Sequence, residues 1–132
     1  MSADVSAVPS RETVLVVENE VLTRHAISDY LRGCGHKVIE ASTGDEALTV
    51  LQEPTLGVDV LLSAMQMPGS MDGFALARWI RANRLKVRIF LSGSHSSGVD
   101  AAAELHTVLV ERHRPASRDT GKRPARRYRR PR

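Results

Sequence analysis

Apolar residues along this chain fall into short runs that alternate between two periods. Residues 14–17 are an unbroken aliphatic run, the pattern of a strand buried on both faces. Leu22, Ala26, Ile27, Tyr30 and Leu31 follow on one stripe at helical spacing, and Gly33 is placed to end that helix. The pair of signals then recurs. Residues 38–41 predict a second strand. Thr43 and Glu46 have the spacing of a capping box, with Ala47, Leu48 and Leu51 as the stripe behind it. Residues 58–62 predict a third strand, and Asp72 is placed to cap a helix that carries Ala75, Leu76, Trp79 and Ile80. Residues 87–91 read as a fourth strand, 97–105 as a short Ala-rich helix, and 107–110 as a fifth strand.

Strand and helix alternating with short loops imply right-handed βαβ units and a parallel sheet with helices on both faces. After the fifth strand the expected helix is missing. Residues 111–132 contain Pro115, Pro124 and Pro131 and almost no apolar side chains, so they have nothing to pack on a sheet. The organisation expected is a flexible arm over 1–11, one domain over 12–111, and a disordered Arg/Pro-rich basic tail over 112–132. Without a fifth helix, the sheet face near residues 14–17 and 108–110 is expected to be bare and to favour self-association.

At 132 residues, 42% of them hydrophobic, the chain suffices for one domain with a real core. No apolar run approaches the ~20 residues needed to span a bilayer, and the N-terminal segment lacks the pattern of a secretory signal. The single cysteine, Cys34, fits a reducing, cytoplasmic setting. His25, His36, His95, His106 and His113 have no partners at metal-ligand spacing. Charge is segregated: residues 1–111 hold nine basic and fourteen acidic residues, a net of −5, whereas 112–132 hold ten basic and one acidic, a net of +9. Within that tail, Arg123, Arg126, Arg127, Arg129 and Arg130 surround Tyr128, a composition suited to polyanion contact with stacking.

In open parallel sheets, sites form beyond the C-terminal ends of the strands. The loops there read Glu18-Asn19-Glu20, then Ser63-Ala64-Met65-Gln66-Met67-Pro68-Gly69-Ser70-Met71-Asp72-Gly73, then Ser92-Gly93-Ser94. In this order and spacing, over about residues 12–112, they resemble the receiver domain of two-component response regulators. The loop from Pro68 to Met71 is one residue longer than the commonest form, a variant similar to receivers that work with hybrid sensor kinases. The resemblance implies an α/β, flavodoxin-like, doubly wound sheet of five strands in the order 2-1-3-4-5, here with four helices.

It also implies a phosphoacceptor pocket, which this chain fills in degenerate form. The acceptor aspartate position falls on Ala64, and the Mg²⁺-holding acidic pair falls on Glu18 and Asn19. The switch hydroxyl is kept as Ser92, while the reader lysine position falls near Glu111 and Arg112, with no Lys-Pro pair. One carboxylate, Glu18, remains as a weak metal ligand. Each lost carboxylate forfeits on the order of 4 kcal/mol of attraction for a cation at an effective dielectric near 20. Mg²⁺ is therefore expected to bind weakly, and no other cofactor is expected. For Asn19 the residues themselves suggest the N-cap of the first helix. Met65, Met67 and Met71 read as loop packing or as a soft recognition surface.

The function expected is that of a degenerate receiver. It would act by protein–protein interaction in a phosphorelay pathway, with a sensor kinase or other signalling protein as partner, no phosphorylation of its own and no enzymatic activity. The alternative is a nucleic-acid-associated protein that binds through its tail and uses the body as a scaffold.

Overall fold

The computed structural model describes residues 11–83, 85–93 and 98–112. Four strands, β1 (Thr13–Val17), β2 (Lys37–Ala41), β3 (Val60–Ala64) and β4 (Arg88–Ser92), alternate with four helices, α1 (Val21–Gly33), α2 (Gly44–Leu51), α3 (Gly73–Ala82) and α4 (Gly98–Arg112); a 3-10 turn at Pro54–Leu56 precedes β3. Every strand pairing is parallel, and the strand order is β2-β1-β3-β4. The expected alternation therefore holds through the fourth strand.

The unbroken aliphatic run of β1 has its cause in this position. Val14, Leu15, Val16 and Val17 are each no more than 1% exposed, because helices cover both faces. Val14 and Val16, with Val60 and Leu62 of β3, pack under Ile27 and Leu31 of α1. Leu15, Val17 and Leu61 face the other way, onto Ala47 and Leu51 of α2 and Leu76 and Ile80 of α3. Each aliphatic side chain buried this way contributes roughly 1.5–3 kcal/mol.

Two of the helix starts match the sequence reading and one does not. Asp72 accepts the amide of Ala75 at 2.9 Å, and Thr43 Oγ1 accepts that of Glu46 at 3.1 Å. The Glu46 carboxylate returns to the amide of Ser42 at 2.7 Å, one residue before the strict capping-box partner. At α1 the cap is Glu20, not Asn19. The longer glutamate, next to the first turn, reaches the amide of Thr23 at 2.8 Å, whereas exposed Asn19 lies 3.5 Å from the Ser42 carbonyl. Gly33 is the last residue of α1, but the C-cap is Cys34 rather than Gly33. The chain reverses at Gly35, whose φ of 99° is left-handed backbone that side chains with a Cβ resist. On the expected α1 stripe, Ile27 and Leu31 are buried, but Leu22 is 76% exposed and Ala26 is exposed, while Ser28, off that stripe, is buried.

The largest departure is at the C-terminal end. No fifth strand is present among the described residues; residues 107–110 belong to α4. As a helix, Ala101, Ala102, Leu105 and Leu109 recur on one stripe and seal Val14, Val16, Val60 and Leu62 together with α1. Burial of that stripe outweighs the β propensity of the valines at 108 and 110, since local propensity spans only about 1 kcal/mol. The sheet face expected to be bare is therefore covered, and α4 provides the cover that the expected architecture lacked. Residues 1–10 of the arm expected over 1–11 lie outside the described residues, as do residues 113–132 of the tail expected over 112–132, with all of its proposed polyanion-binding residues; Arg112 is the last residue of α4.

A histidine pair fastens α4 to the start of β2. His36 is 4% exposed. Its Nδ1 accepts the amide of Glu12 at 3.1 Å, which places the proton on Nε2, and Nε2 faces His106 Nδ1 at 3.0 Å. Burial first, and then the neighbouring His106, push the His36 pKa down.

Candidate functional site

The C-terminal ends of β1, β3 and β4 open onto one cavity of about 360 Å³. Parallel register sets its floor: Ala64, the last residue of β3, lies opposite Ser92, the last of β4, and Ser63 lies opposite Val17. The amide of Met65 donates to the Ser92 carbonyl at 3.3 Å, and that of Gly73 to the Met65 carbonyl at 3.1 Å. The first bond carries the β3–β4 pairing one residue further, and the second ties the start of the long loop after β3 to the start of α3. Gly73 is required there, because a Cβ would collide with the Ala64 carbonyl. On the opposite side, a Cβ on Gly98 would come within 2.6 Å of Thr23 Cγ2, so the start of α4 lies directly against α1.

The cavity gathers Glu18, Ala64 and Ser92, three of the four residues singled out from the sequence. It does not gather Asn19, which is exposed and turned toward Ser42. Thr23, Met65, Gln66, Gly93 and Gly98 complete the lining. Sequence reading passed over Thr23 and Gly98 because they reach the site only through the packing of α4 on α1. Met67 and Met71 pack against the core on the α2–α3 face, whereas Met65 lines the cavity.

Glu18 is the only ionisable side chain in this lining among the described residues. Its Oε2 accepts the amide of Glu20 at 2.9 Å, and its carbonyl accepts Arg24 Nη1 at 2.9 Å. Arg24 is held in turn by Glu40 at 3.3 Å, and Glu40 also pairs with Arg32 at 3.2 Å. The loop after β1 is thus fixed by a guanidinium anchored on β2. Glu20 is the cap of α1, and the Thr23 amide and hydroxyl hold its carboxyl below the ordinary carboxylate range. Among the described residues no cluster of three or more His, Cys, Asp or Glu is placed to hold a metal.

Ala64 presents a methyl group to this cavity, which can neither attack phosphorus nor coordinate a cation. The cavity's polar groups are one carboxylate, two hydroxyls, one amide side chain and the backbone. That set suits hydrogen bonding and offers a divalent cation a single anionic ligand.

Comparison with known proteins places these features in context. The family model for the response regulator receiver domain matches residues 14–109. The gliding motility regulatory protein of Myxococcus xanthus is 33% identical over 121 residues, covering 84% of this chain and 15% of that protein. The two-component response regulator-like protein APRR7 of Arabidopsis thaliana is 34% identical over 86 residues, covering 64% of this chain and 12% of the relative. The sensor kinase CckA of Brucella abortus is 39% identical over 82 residues, covering 61% of the chain and 9% of the kinase. The chain therefore spans a small part of the length of these relatives. Among solved structures, the receiver domain of the hybrid histidine kinase CckA superposes with a TM-score of 0.58 at 26% identity, over 74% of this chain and 98% of that one. The receiver domain of the Francisella response regulator 1452 superposes with a TM-score of 0.64, over 79% of this chain and all of that one; at 20% identity it speaks for the fold alone. Among the described residues no helix is long and apolar enough to cross a membrane.

Proposed function

Because the chain belongs to the response regulator receiver domain family, we propose that it is a degenerate receiver, a cytoplasmic signalling module that binds protein partners in a phosphorelay pathway without being phosphorylated and without catalysing a reaction. The observation that carries this reading is Ala64 at the end of β3, in the cavity with Glu18 and Ser92. A phosphoryl acceptor there needs a carboxylate and a bound cation. The cavity supplies a methyl group and one carboxylate, and that carboxylate already accepts the Glu20 amide. Mg²⁺, which prefers one or two carboxylates together with phosphate oxygens, would be held only weakly by Glu18.

The partner proposed is a sensor kinase or another signalling protein. Support comes from the kinship with a domain of the Brucella sensor kinase CckA. The test is a Mg²⁺ titration of the full chain followed by amide NMR. Shifts at Glu18, Ala64 and Gly93 that stay small and unsaturated well beyond cellular Mg²⁺ agree with the reading. Saturation at sub-millimolar Mg²⁺ contradicts it.

The segregated charge favours a second reading, in which the tail binds polyanions. Residues 112–132 carry a net +9. Each phosphate neutralised changes log affinity by about −0.9 per unit of log salt, so engagement of half the tail gives a slope of roughly −4 to −5. Titrating labelled DNA with the full chain and with a chain ending at Arg112, at several salt concentrations, decides it. Equal affinities remove the tail from the function.

A further inference from the structure

We propose that two copies of this chain pair through β4, edge to edge and antiparallel, into one continuous sheet. The inference does not depend on what the cavity at Ala64 binds. β4 is the outermost strand of the order β2-β1-β3-β4, and among the described residues it pairs only with β3. Its far side therefore offers a row of backbone donors and acceptors, the template on which another chain adds a strand. Of the devices that blunt such edges, β4 carries only its short length and one terminal charge, Arg88, already paired with Glu12; it reads Arg88-Ile89-Phe90-Leu91-Ser92, with no proline, glycine or lysine.

That sequence is self-complementary. In an antiparallel pair, directly opposed residues share a face and touch. Centred on Phe90, the pairing sets Phe90 against the partner copy's Phe90, sets Ile89 against Leu91 twice, and leaves polar Arg88 and Ser92 at the ends. All three apolar residues are only half-buried in the single chain. The Arg88 guanidinium lies 3.3 Å from the Glu12 carboxylate, so the edge brings little uncompensated charge to its twin.

The packing of α4 adds a receptacle. Leu105 and Leu109 seat the helix over β1 and β3, which leaves Phe90 at the margin under an open groove of about 490 Å³ bounded by Ala103, Glu104, Thr107 and Val108. Val108 on its rim is 47% exposed. A two-fold axis through the Phe90 pair, normal to the sheet, puts both α4 helices on the same face. The aromatic pair then lies between them, with Val108 of each copy closing over it. A second copy fits better than an unrelated strand because the polar–apolar–polar pattern matches its own reverse. Five-residue edges and one groove bury less than the roughly 1,200 Å² at the low end of stable interfaces, so the dimer is weak and forms at high protein concentration.

Sedimentation equilibrium of the full chain over a concentration series, with hydrogen exchange of the amides of 88–92 at low and high concentration, tests the proposal. The expected result is a reversible dimer in which β4 amides exchange more slowly as dimer forms. Phe90→Arg and Val108→Lys should each weaken it at least tenfold. Val108 is half in water, so its variant keeps the fold and decides the matter if Phe90→Arg unfolds. A monomer at every concentration overturns the proposal. So does a monomer whose β4 amides are already protected, which would mean the chain's own terminal segment covers the edge. A dimer indifferent to both variants overturns it as well, by placing the contact elsewhere.

Discussion

Leu109→Ala is the most informative single change for the fold, because residue 109 is where the helix and the strand readings of the C-terminal segment part. In α4 its side chain is fully buried among Val14, Val16, Val60, Leu62 and Leu105. Leucine-to-alanine changes in cores cost about 2.7–5 kcal/mol, the higher values where the cavity stays open. One turn away on the helix is Leu105, fully buried in the same cluster, and the cluster's β1 and β3 side chains include the β-branched Val14, Val16 and Val60, which have little rotamer freedom to close the gap. We therefore expect about 3–4 kcal/mol, a large part of the 5–15 kcal/mol typical of a domain. The melting temperature should fall by roughly 12–32 °C at 4–8 °C per kcal/mol. Val108→Ala is the control. At 47% exposure it should change stability by less than about 0.5 kcal/mol. Urea unfolding of both variants at low protein concentration, with the slope checked against the parent chain, gives the comparison. If Val108→Ala costs as much as Leu109→Ala, residues 107–110 do not form the helix described here.

Ala64→Asp alone should restore phosphorylation poorly, and Ala64→Asp with Asn19→Asp should do better, because an aspartate at 19 cannot donate to the Ser42 carbonyl as Asn19 does and is released to add a carboxylate beside Glu18; initial rates with acetyl phosphate and Mg²⁺ measure this, and equal rates show that residue 19 stays turned away from the cavity. Stability should also fall in mild acid through His36. Its folded pKa lies below the ordinary 6.5, so the unfolded chain binds the proton more readily. The His36 contribution is then complete above about pH 6.5 and is lost as pH falls from there through the lowered folded pKa, by up to about 1.4 kcal/mol per pH unit for one proton. Urea midpoints between neutral and mildly acidic pH, for the parent and His36→Gln, should converge in acid; parallel curves would remove the histidine pair from the explanation.

Much of the fold was legible because its central strands are buried on both faces. The runs at 14–17 and 60–62 announce such strands, although β3 begins at Val60 rather than at residue 58, and Thr43 and Asp72 announce their helices by chemistry that acts within four residues. What escaped the sequence depends on distant partners. Residues 107–110 carry three β-branched side chains, Thr107, Val108 and Val110, and resemble a strand in isolation; only the apolar groove between α1 and β1 makes the stripe of Leu105 and Leu109 decisive. The His36–His106 bond joins residues 70 positions apart, and neither histidine has a local signal. At the site, Glu18, Ala64 and Ser92 were legible because parallel strands deliver their C-terminal ends to one place. Asn19 misled because two acids flank it and the longer Glu20 reaches the helix amides first.

The central claim, a receiver fold without a phosphoacceptor, meets its most direct test in the intact mass of the full chain after incubation with acetyl phosphate and Mg²⁺. The expected spectrum is that of the untreated protein, because Ala64 has no side-chain oxygen to accept the group. A stable adduct of about 80 Da, one phosphoryl group, that disappears with hydroxylamine as an acyl phosphate does, would contradict the account.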